Sequence, residues 1–204
     1  MRLTLLAMVV LLSGCVTLNE SMLRKVDSIH APQKAVIVET KMGELVQKLN
    51  GEGANRGVFS GNTVGNQVTK LIMNRWKDKD IISDYGPPGD LKSKPDYTFI
   101  LSGSRNEDSS IAGAVFSGLT FMLLPSTTTL TFDLNAELID NRTGQKYQAK
   151  AKNGVTSVMQ ILLLPALPFS WIGNKNAFDD IADHLYSEFY AQGAFSERVI
   201  NSRQ

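Results

Sequence analysis

Residues 129–140 read Thr-Leu-Thr-Phe-Asp-Leu-Asn-Ala-Glu-Leu-Ile-Asp, and apolar and polar side chains alternate through residue 138. A period of two is typical of a β-strand that buries one face and exposes the other. The stretch therefore predicts a half-buried strand, around which the rest of the fold is arranged.

The residues that follow predict that this strand turns back on itself. Residues 140–144 have turn composition, and Gly144 can adopt a positive φ. A second alternating stretch comes after the turn, and a loop of residues 141–144 would place Asp133 opposite Lys152, so that an acidic strand faces a basic one on the solvent side. We predict a central β-hairpin over about residues 129–153, with its charges forming a solvated face.

Shorter apolar runs predict further strands on either side of the hairpin. Residues 36–38 are a β-branched run, residues 81–82 are a pair of isoleucines, and residues 95–103 alternate with Tyr97, Phe99 and Leu101 on one face. Residues 42–49 are interpreted as a short helix.

Two segments carry apolar residues at helical spacing. One runs over about residues 64–77 and buries Trp76, and the other runs from about Ala177 to Gln192, with Gly193 available to end it. Both helices are apolar on one side only. The predicted fold class is α+β, with a mostly antiparallel sheet and amphipathic helices on one face.

The amino terminus is typical of an export signal. Arg2 is followed by a short apolar run that ends at Leu12-Ser13-Gly14-Cys15, and the run is too short to cross a bilayer as a helix, which needs about 20 residues. These four residues resemble the lipobox of bacterial lipoproteins. The resemblance implies that signal peptidase II recognises Leu12, Ser13 and Gly14, and that Cys15 carries diacylglycerol and an acyl group on its amino group.

This resemblance gives the expected domain organisation and location. Residues 1–14 form a cleaved signal peptide, residues 15–32 form the lipidated cysteine and a polar tether, and residues 33–204 form one periplasmic domain. Several acyl chains hold a protein to a bilayer more firmly than one chain does. Lipoprotein sorting reads the residues after the cysteine, and Val16-Thr17 in place of an aspartate implies the periplasmic face of the outer membrane.

Composition excludes several classes of function. The chain has 21 Lys and Arg against 20 Asp and Glu, and removal of Arg2 with the signal peptide balances them. A nearly neutral domain lacks the basic face of a nucleic-acid-binding protein. Cys15 is the only cysteine, so its lipidation leaves no thiol for a disulfide or for cysteine-based redox or metal chemistry.

Motifs for catalysis, metals and cofactors are missing from the sequence. There is no Gly-x-Ser-x-Gly or His-Glu-x-x-His motif, and the glycines of residues 51–57 do not have phosphate-loop spacing, so this stretch is interpreted as a flexible loop. His184, beside acids on one helix, is interpreted as a solvated residue rather than a metal ligand. We expect no enzyme activity, no cofactor and no metal.

Two uncharged apolar segments, residues 111–125 and 158–171, flank the central hairpin. Each contains Leu-Leu-Pro, and three interpretations remain open. The segments close the core, they form an exposed patch that contacts a partner or the lipid surface, or several copies insert them as a pore. The possible interaction surface comprises Phe116, Leu119, Phe121, Leu123, Leu124, Leu163, Leu164, Leu167, Phe169 and Trp171.

The mature chain is loosely similar to envelope lipoproteins related to the curli-secretion lipoprotein, the amino-terminal domain of the Tol-Pal propeller protein and the lipoprotein activators of penicillin-binding proteins. The lipobox, residues 95–103 and the turn at residues 140–144 carry this resemblance. It implies a noncatalytic binding or assembly accessory with an envelope protein as its partner. The alternative is an oligomeric subunit of an outer-membrane transport or secretion assembly.

Overall fold

The computed structural model describes residues 14–20, 22, 23, 25, 26, 29, 31–53, 61–110, 115, 119, 120, 126–160 and 170–195. Its strands and helices, in chain order, are β1 (Gly14–Glu20), β2 (Val36–Leu49), β3 (Glu52–Gly53), α1 (Gly61–Asp78), β4 (Ile82–Gly86), β5 (Tyr97–Ser109), β6 (Ser126–Asp140), β7 (Lys146–Gln160) and α2 (Ser170–Ala191).

The central hairpin has the predicted register. Strands β6 and β7 pair antiparallel with Asp133 opposite Lys152. In the turn, the Asp140 carboxylate accepts hydrogen bonds from the backbone N–H groups of Arg142 at 2.8 Å and Thr143 at 3.2 Å, and Gly144 has φ +74°. The hairpin is longer at its open end than the sequence indicates, because the pairing continues to Ser126 and Met159.

The sheet is mixed, and the prediction of a mostly antiparallel sheet is corrected. Its strand order is β1-β7-β6-β5-β2-β3, with β4 beside β2. Strand β2 runs parallel to both β4 and β5. The chain passes from β2 to β4 through α1, and a helical crossover of this kind joins parallel strands.

Residues 42–49 are strand rather than the short helix we predicted. They form the second half of β2 and pair with β5 as far as Leu49 opposite Glu107. The register shifts between Met42 and Leu45, so β2 has a bulge here. Pairing with a neighbouring strand decides the conformation of such a segment, because local helix propensity is weak compared with tertiary contacts.

The hydrophobic core lies between the sheet and both helices. Trp76 of α1 is fully buried, and its indole N–H donates to the Ala182 carbonyl of α2 at 2.9 Å. The Trp76 ring meets Phe99 of β5 edge-on at 5.5 Å and Phe189 of α2 at 6.2 Å between centroids. Strands β2, β5, β6 and β7 contribute their inward-facing side chains to the same cluster, as expected for helices on one face.

The two helices differ in how well the sequence predicts their buried faces. On α2 the predicted face is confirmed, since Ile181, Ala182, Leu185, Tyr186 and Phe189 are all buried. On α1, the apolar spacing of the sequence groups Leu71 with buried Trp76, but Leu71 is 43% exposed and Met73 is buried instead. The reason is that α1 packs against both the sheet and α2. Its buried face is therefore shifted around the helix relative to the apolar face that the sequence predicts. Neither of these described helices has the length and apolarity needed to cross a bilayer.

Candidate anchoring and interaction site

Cys15 lies in the edge strand of the sheet. We expected residues 15–32 to form a tether, but Gly14–Glu20 form β1 and pair antiparallel with β7. Cys15 is opposite Met159, and Met159 is also opposite Ser126 of β6. The first residue of the expected mature protein is thus already part of the sheet.

The buried side chain of Asn153 fixes the chain just after β1. Asn153 is on β7 and is fully buried. Its side-chain oxygen accepts the Met22 N–H at 3.1 Å and the Gly154 N–H at 3.0 Å, while its amide nitrogen donates to the Ala177 carbonyl of α2 at 3.0 Å. One amide therefore joins the amino-terminal segment, the sheet and a helix, and all its hydrogen bonds are made inside the protein.

Two apolar residues beyond Met22 also pack onto the domain. Leu23 and Ile29 are partly buried against the hydrophobic core. Together with β1 and Asn153, they hold the described part of the amino-terminal segment against the domain. The described residues between 15 and 29 are thus attached to the domain at β1, Met22, Leu23 and Ile29.

The predicted signal-peptidase and interaction residues are only partly within the described chain. Leu12 and Ser13 lie outside it, and Gly14 and Cys15 are placed in β1. Leu119 is 72% exposed, and the nearby Val115 is 54% exposed. Trp171 belongs to the first turn of α2, and the other members of the predicted interaction surface lie outside the described residues: Phe116, Phe121, Leu123, Leu124, Leu163, Leu164, Leu167 and Phe169.

His184 makes a structural contact. Its Nε2 lies 3.1 Å from the carbonyl oxygen of Lys150 on β7. Within the ranges that the structure describes, no group of three or more His, Cys, Asp or Glu residues is arranged to hold a metal ion.

An ion-pair cluster between the helices was not predicted from the sequence. Arg75 of α1 contacts Asp183 of α2 at two points, Nε to Oδ1 at 2.9 Å and Nη2 to Oδ2 at 2.7 Å, and its Nη1 lies 3.4 Å from Asp179. The hydrogen bond to Asp183 raises the pKa of Arg75. Burial raises the pKa of Asp179 in spite of the nearby guanidinium. The sequence feature that could have predicted this cluster is Arg75, a charged residue on the apolar side of α1.

Tyr186 of α2 and Tyr97 of β5 are both neutral at physiological pH. Burial raises the pKa of Tyr186 to about 12. Burial also raises the pKa of Tyr97, whose hydroxyl accepts the Phe195 N–H at 3.2 Å. Tyr97 therefore contributes packing and a hydrogen bond, and Tyr186 packs against the Trp76 ring.

The start of the glycine-rich stretch is a tight turn. Asn50 and Gly51 have φ values of 50° and 82° and connect β2 to β3, with Leu49 opposite Glu52. Two central residues with positive φ are typical of a type I′ hairpin turn, which favours Asn-Gly. Asn106 accepts the Gly51 N–H at 2.9 Å, and residues 54–60 lie outside the described chain. The Asn50-Gly51 dipeptide predicts this turn, but the interpretation of residues 51–57 as a flexible loop missed it.

No known family model matches the chain, and no curated protein matches its sequence. Among solved structures, the chain is similar to a Xanthomonas campestris protein of the family model DUF330, at 12% identity and a TM-score of 0.46, over 84% of this chain and 94% of that one. It is similar to a variant of the PelC dodecamer from Paraburkholderia phytofirmans, at 13% identity and a TM-score of 0.33, over 85% of this chain and 98% of that one.

A third similar structure is a Helicobacter pylori protein described as a homologue of neuraminyllactose-binding hemagglutinin. It is 9% identical with a TM-score of 0.36, over 81% of this chain and 88% of that one. At these identities and scores, the likenesses assign no role to any residue of this chain.

Proposed function

We propose that the protein is a noncatalytic envelope lipoprotein, anchored by acylated Cys15 at the periplasmic face of the outer membrane, that acts as a binding or assembly accessory. The observation that carries the proposal is the position of Cys15. It follows Leu12-Ser13-Gly14 in the sequence and is the second residue of an edge strand.

Metabolic labelling tests the anchor. Cells that express the wild-type chain should incorporate labelled palmitate into a membrane-bound protein, whereas Cys15→Ala should remain an unlabelled precursor. Thr17→Ala, a neighbouring change in the same strand, is the matched control and should be labelled normally. Palmitate in the Cys15→Ala protein would refute the lipoprotein assignment.

The accessory role is tested through a residue that is exposed in the structure. Leu119 is 72% exposed, so Leu119→Asp should leave the fold intact and reduce crosslinking of the protein to its envelope partner in cells. Leu71→Asp is the control, because Leu71 is also exposed but lies on α1. If both variants crosslink as the wild type does, Leu119 is not part of an interface.

The second candidate is a subunit of an oligomeric transport or secretion assembly. It is favoured by two sheet edges in the described part of the chain. Strand β1 ends the sheet on one side, and on the other side Thr40–Val46 of β2 lie between the residues that pair with β4 and with β3. Such edges can pair with strands of another copy. Measuring the size of the lipidated protein in detergent tests this candidate. A ring of copies supports it, and a monomer refutes it.

A further inference from the structure

The peptide bond between Gly14 and Cys15 lies inside the sheet. Gly14 is opposite Gln160 and Cys15 is opposite Met159 in the antiparallel pairing of β1 with β7. On the proposed function, a membrane protease hydrolyses this bond to release the signal peptide. Hydrolysis adds water across the amide, which leaves a carboxylate on Gly14 and a free amine on Cys15. Both residues that flank the cleaved bond are therefore paired with β7.

A strand that is paired in a sheet is a poor substrate for a protease. Proteases cut exposed segments, and they cut folded regions through the locally opened state. Gln160 is the last residue of β7, so the Gly14–Cys15 bond lies at the end of the sheet with the domain directly beside it. The bond can reach the active site of a membrane protease only after β1 leaves β7. Detachment frees the seven residues of β1, an extended length of about 23 Å.

Strand β1 is joined to the sheet along one edge only. It ends the sheet, so β7 is its single strand neighbour. Leu18 of β1 is 54% exposed, and Met22, just after the strand, is 51% exposed. Moving these two side chains away from the domain therefore transfers only part of their apolar surface into water. Segments with few buried contacts open at lower free energy than the core of the same protein.

The buried amide of Asn153 keeps hydrogen-bond partners when β1 leaves. Its oxygen accepts the Met22 N–H at 3.1 Å and the Gly154 N–H at 3.0 Å, and its nitrogen donates to the Ala177 carbonyl at 3.0 Å. Detachment breaks only the bond from Met22, which is half exposed, so that its N–H can bind water. The larger cost of a buried polar group without a partner is avoided. The Asn153 site therefore accommodates β1 in either state.

We infer that β1 is a detachable strand, which is released from β7 while the signal peptide is removed and pairs with β7 in the mature protein. The inference rests on the proposed lipidation and adds a conformational change to it. In the precursor, the edge of β7 from Gly154 to Gln160 is open. Pairing of β1 after cleavage covers this edge and places acylated Cys15 against the domain.

Disulfide trapping tests whether β1 is paired. Thr17 of β1 is opposite Ser157 of β7, and Cα atoms of opposite residues in an antiparallel pair are about 4.5–5.5 Å apart, within reach of a disulfide. The Thr17→Cys/Ser157→Cys protein reports this pairing. The control, Ser109→Cys/Thr128→Cys, joins opposite residues of β5 and β6 and reports the folded sheet without β1. Cys15 is the only native cysteine and its thiol is blocked by lipid.

Both proteins are oxidised in cells whose signal peptidase II is inhibited, so that the lipid-bearing precursor accumulates, and in untreated cells, which contain the mature form. We expect the control disulfide to form equally in precursor and mature protein. We expect the disulfide between β1 and β7 to form in the mature protein and to have a several-fold lower yield in the precursor.

Equal yields of the β1–β7 disulfide in both forms overturn the inference, as does normal cleavage of a precursor that already carries it once the inhibitor is removed. Its absence from the mature protein also overturns the inference. A control disulfide that is missing from the precursor does so too, because the whole sheet would then form after cleavage. Mass spectrometry separates the two levels: Cys15 without lipid refutes the proposed function, and lipid-bearing Cys15 with equal disulfide yields refutes only this inference.

Discussion

The side-chain oxygen of Asn153 accepts a hydrogen bond from the backbone N–H of Met22 at 3.1 Å, across 131 positions of sequence. Through this bond, the segment that follows Cys15 is attached to the middle of β7. Asn153 is fully buried and Met22 is half exposed, so the bond is partly shielded from competing water. Asn153 therefore links the segment after Cys15 to the fold.

Replacing Asn153 by alanine should lower the free energy of unfolding by about 1–3 kcal/mol, because the Met22 N–H and the Ala177 carbonyl lose their partner. Urea denaturation measures this loss, and hydrogen exchange should show a less protected Met22 amide. Asn135→Ala, on the exposed face of β6, is the control and should change stability by less than about 0.5 kcal/mol. Unchanged protection of Met22 would contradict the role of Asn153.

Replacing Arg75 by methionine should cost about 1–3 kcal/mol at neutral pH, because Asp183 and Asp179 would lose their shared cation. The two carboxylates are one helical turn apart and would repel each other. The loss should shrink as the pH falls, because burial raises the pKa of Asp179 and its carboxyl becomes protonated. Lys77, also on α1, makes an exposed and longer ion pair with Asp84 of β4, so Lys77→Met should have little effect. Equal losses in both variants would contradict a specific interhelical role.

Asp140 should make the stability of the hairpin sensitive to acid. Its burial alone would raise the carboxyl pKa, but the hydrogen bonds from Arg142 and Thr143 outweigh burial and lower it from the ordinary 3.8. A lowered folded-state pKa stabilises the protein above the unfolded-state value, and this contribution is lost as pH falls through the folded-state value.

Asp140→Asn should therefore be less stable than the wild type by about 1 kcal/mol at pH 7, and the difference should decrease as the pH falls below 3.8. Denaturation at a series of pH values measures it. Asp133→Asn, at an exposed position of the same strand, is the control. A difference that stays constant with pH would show that the Asp140 charge is not responsible.

Gly103 of β5 should tolerate no side chain. It has φ +139°, and an added Cβ would overlap the Asp133 carbonyl oxygen of the neighbouring strand. We expect Gly103→Ala to cost at least about 3 kcal/mol, since backbone strain and overpacking add. Gly89 also has a positive φ but has nothing within 4 Å of an added Cβ, so Gly89→Ala should cost only about 1 kcal/mol. Thermal unfolding of both variants measures the difference, and similar values would contradict the close approach of β5 and β6.

Local sequence patterns predicted the hairpin and the buried face of α2 well. The alternation in residues 129–140 assigns each side chain to a face, and the turn at residues 140–144 fixes the register that places Asp133 opposite Lys152. These features depend on residues that are close in sequence. The Asn50-Gly51 turn also depends on adjacent residues, but the glycines that follow it led to the interpretation of a flexible loop.

The sequence by itself determined the hairpin and the amphipathic helices, because each depends on a pattern within one short stretch, and residues 12–15 predict a lipid anchor in the same local way. Only the tertiary structure decided that residues 42–49 and 14–20 are strands, because their hydrogen-bond partners on β5 and β7 lie far along the chain. The same long-range pairing placed Cys15 opposite Met159 of β7. That arrangement arises from backbone hydrogen bonds between distant strands, which no local pattern of side chains encodes.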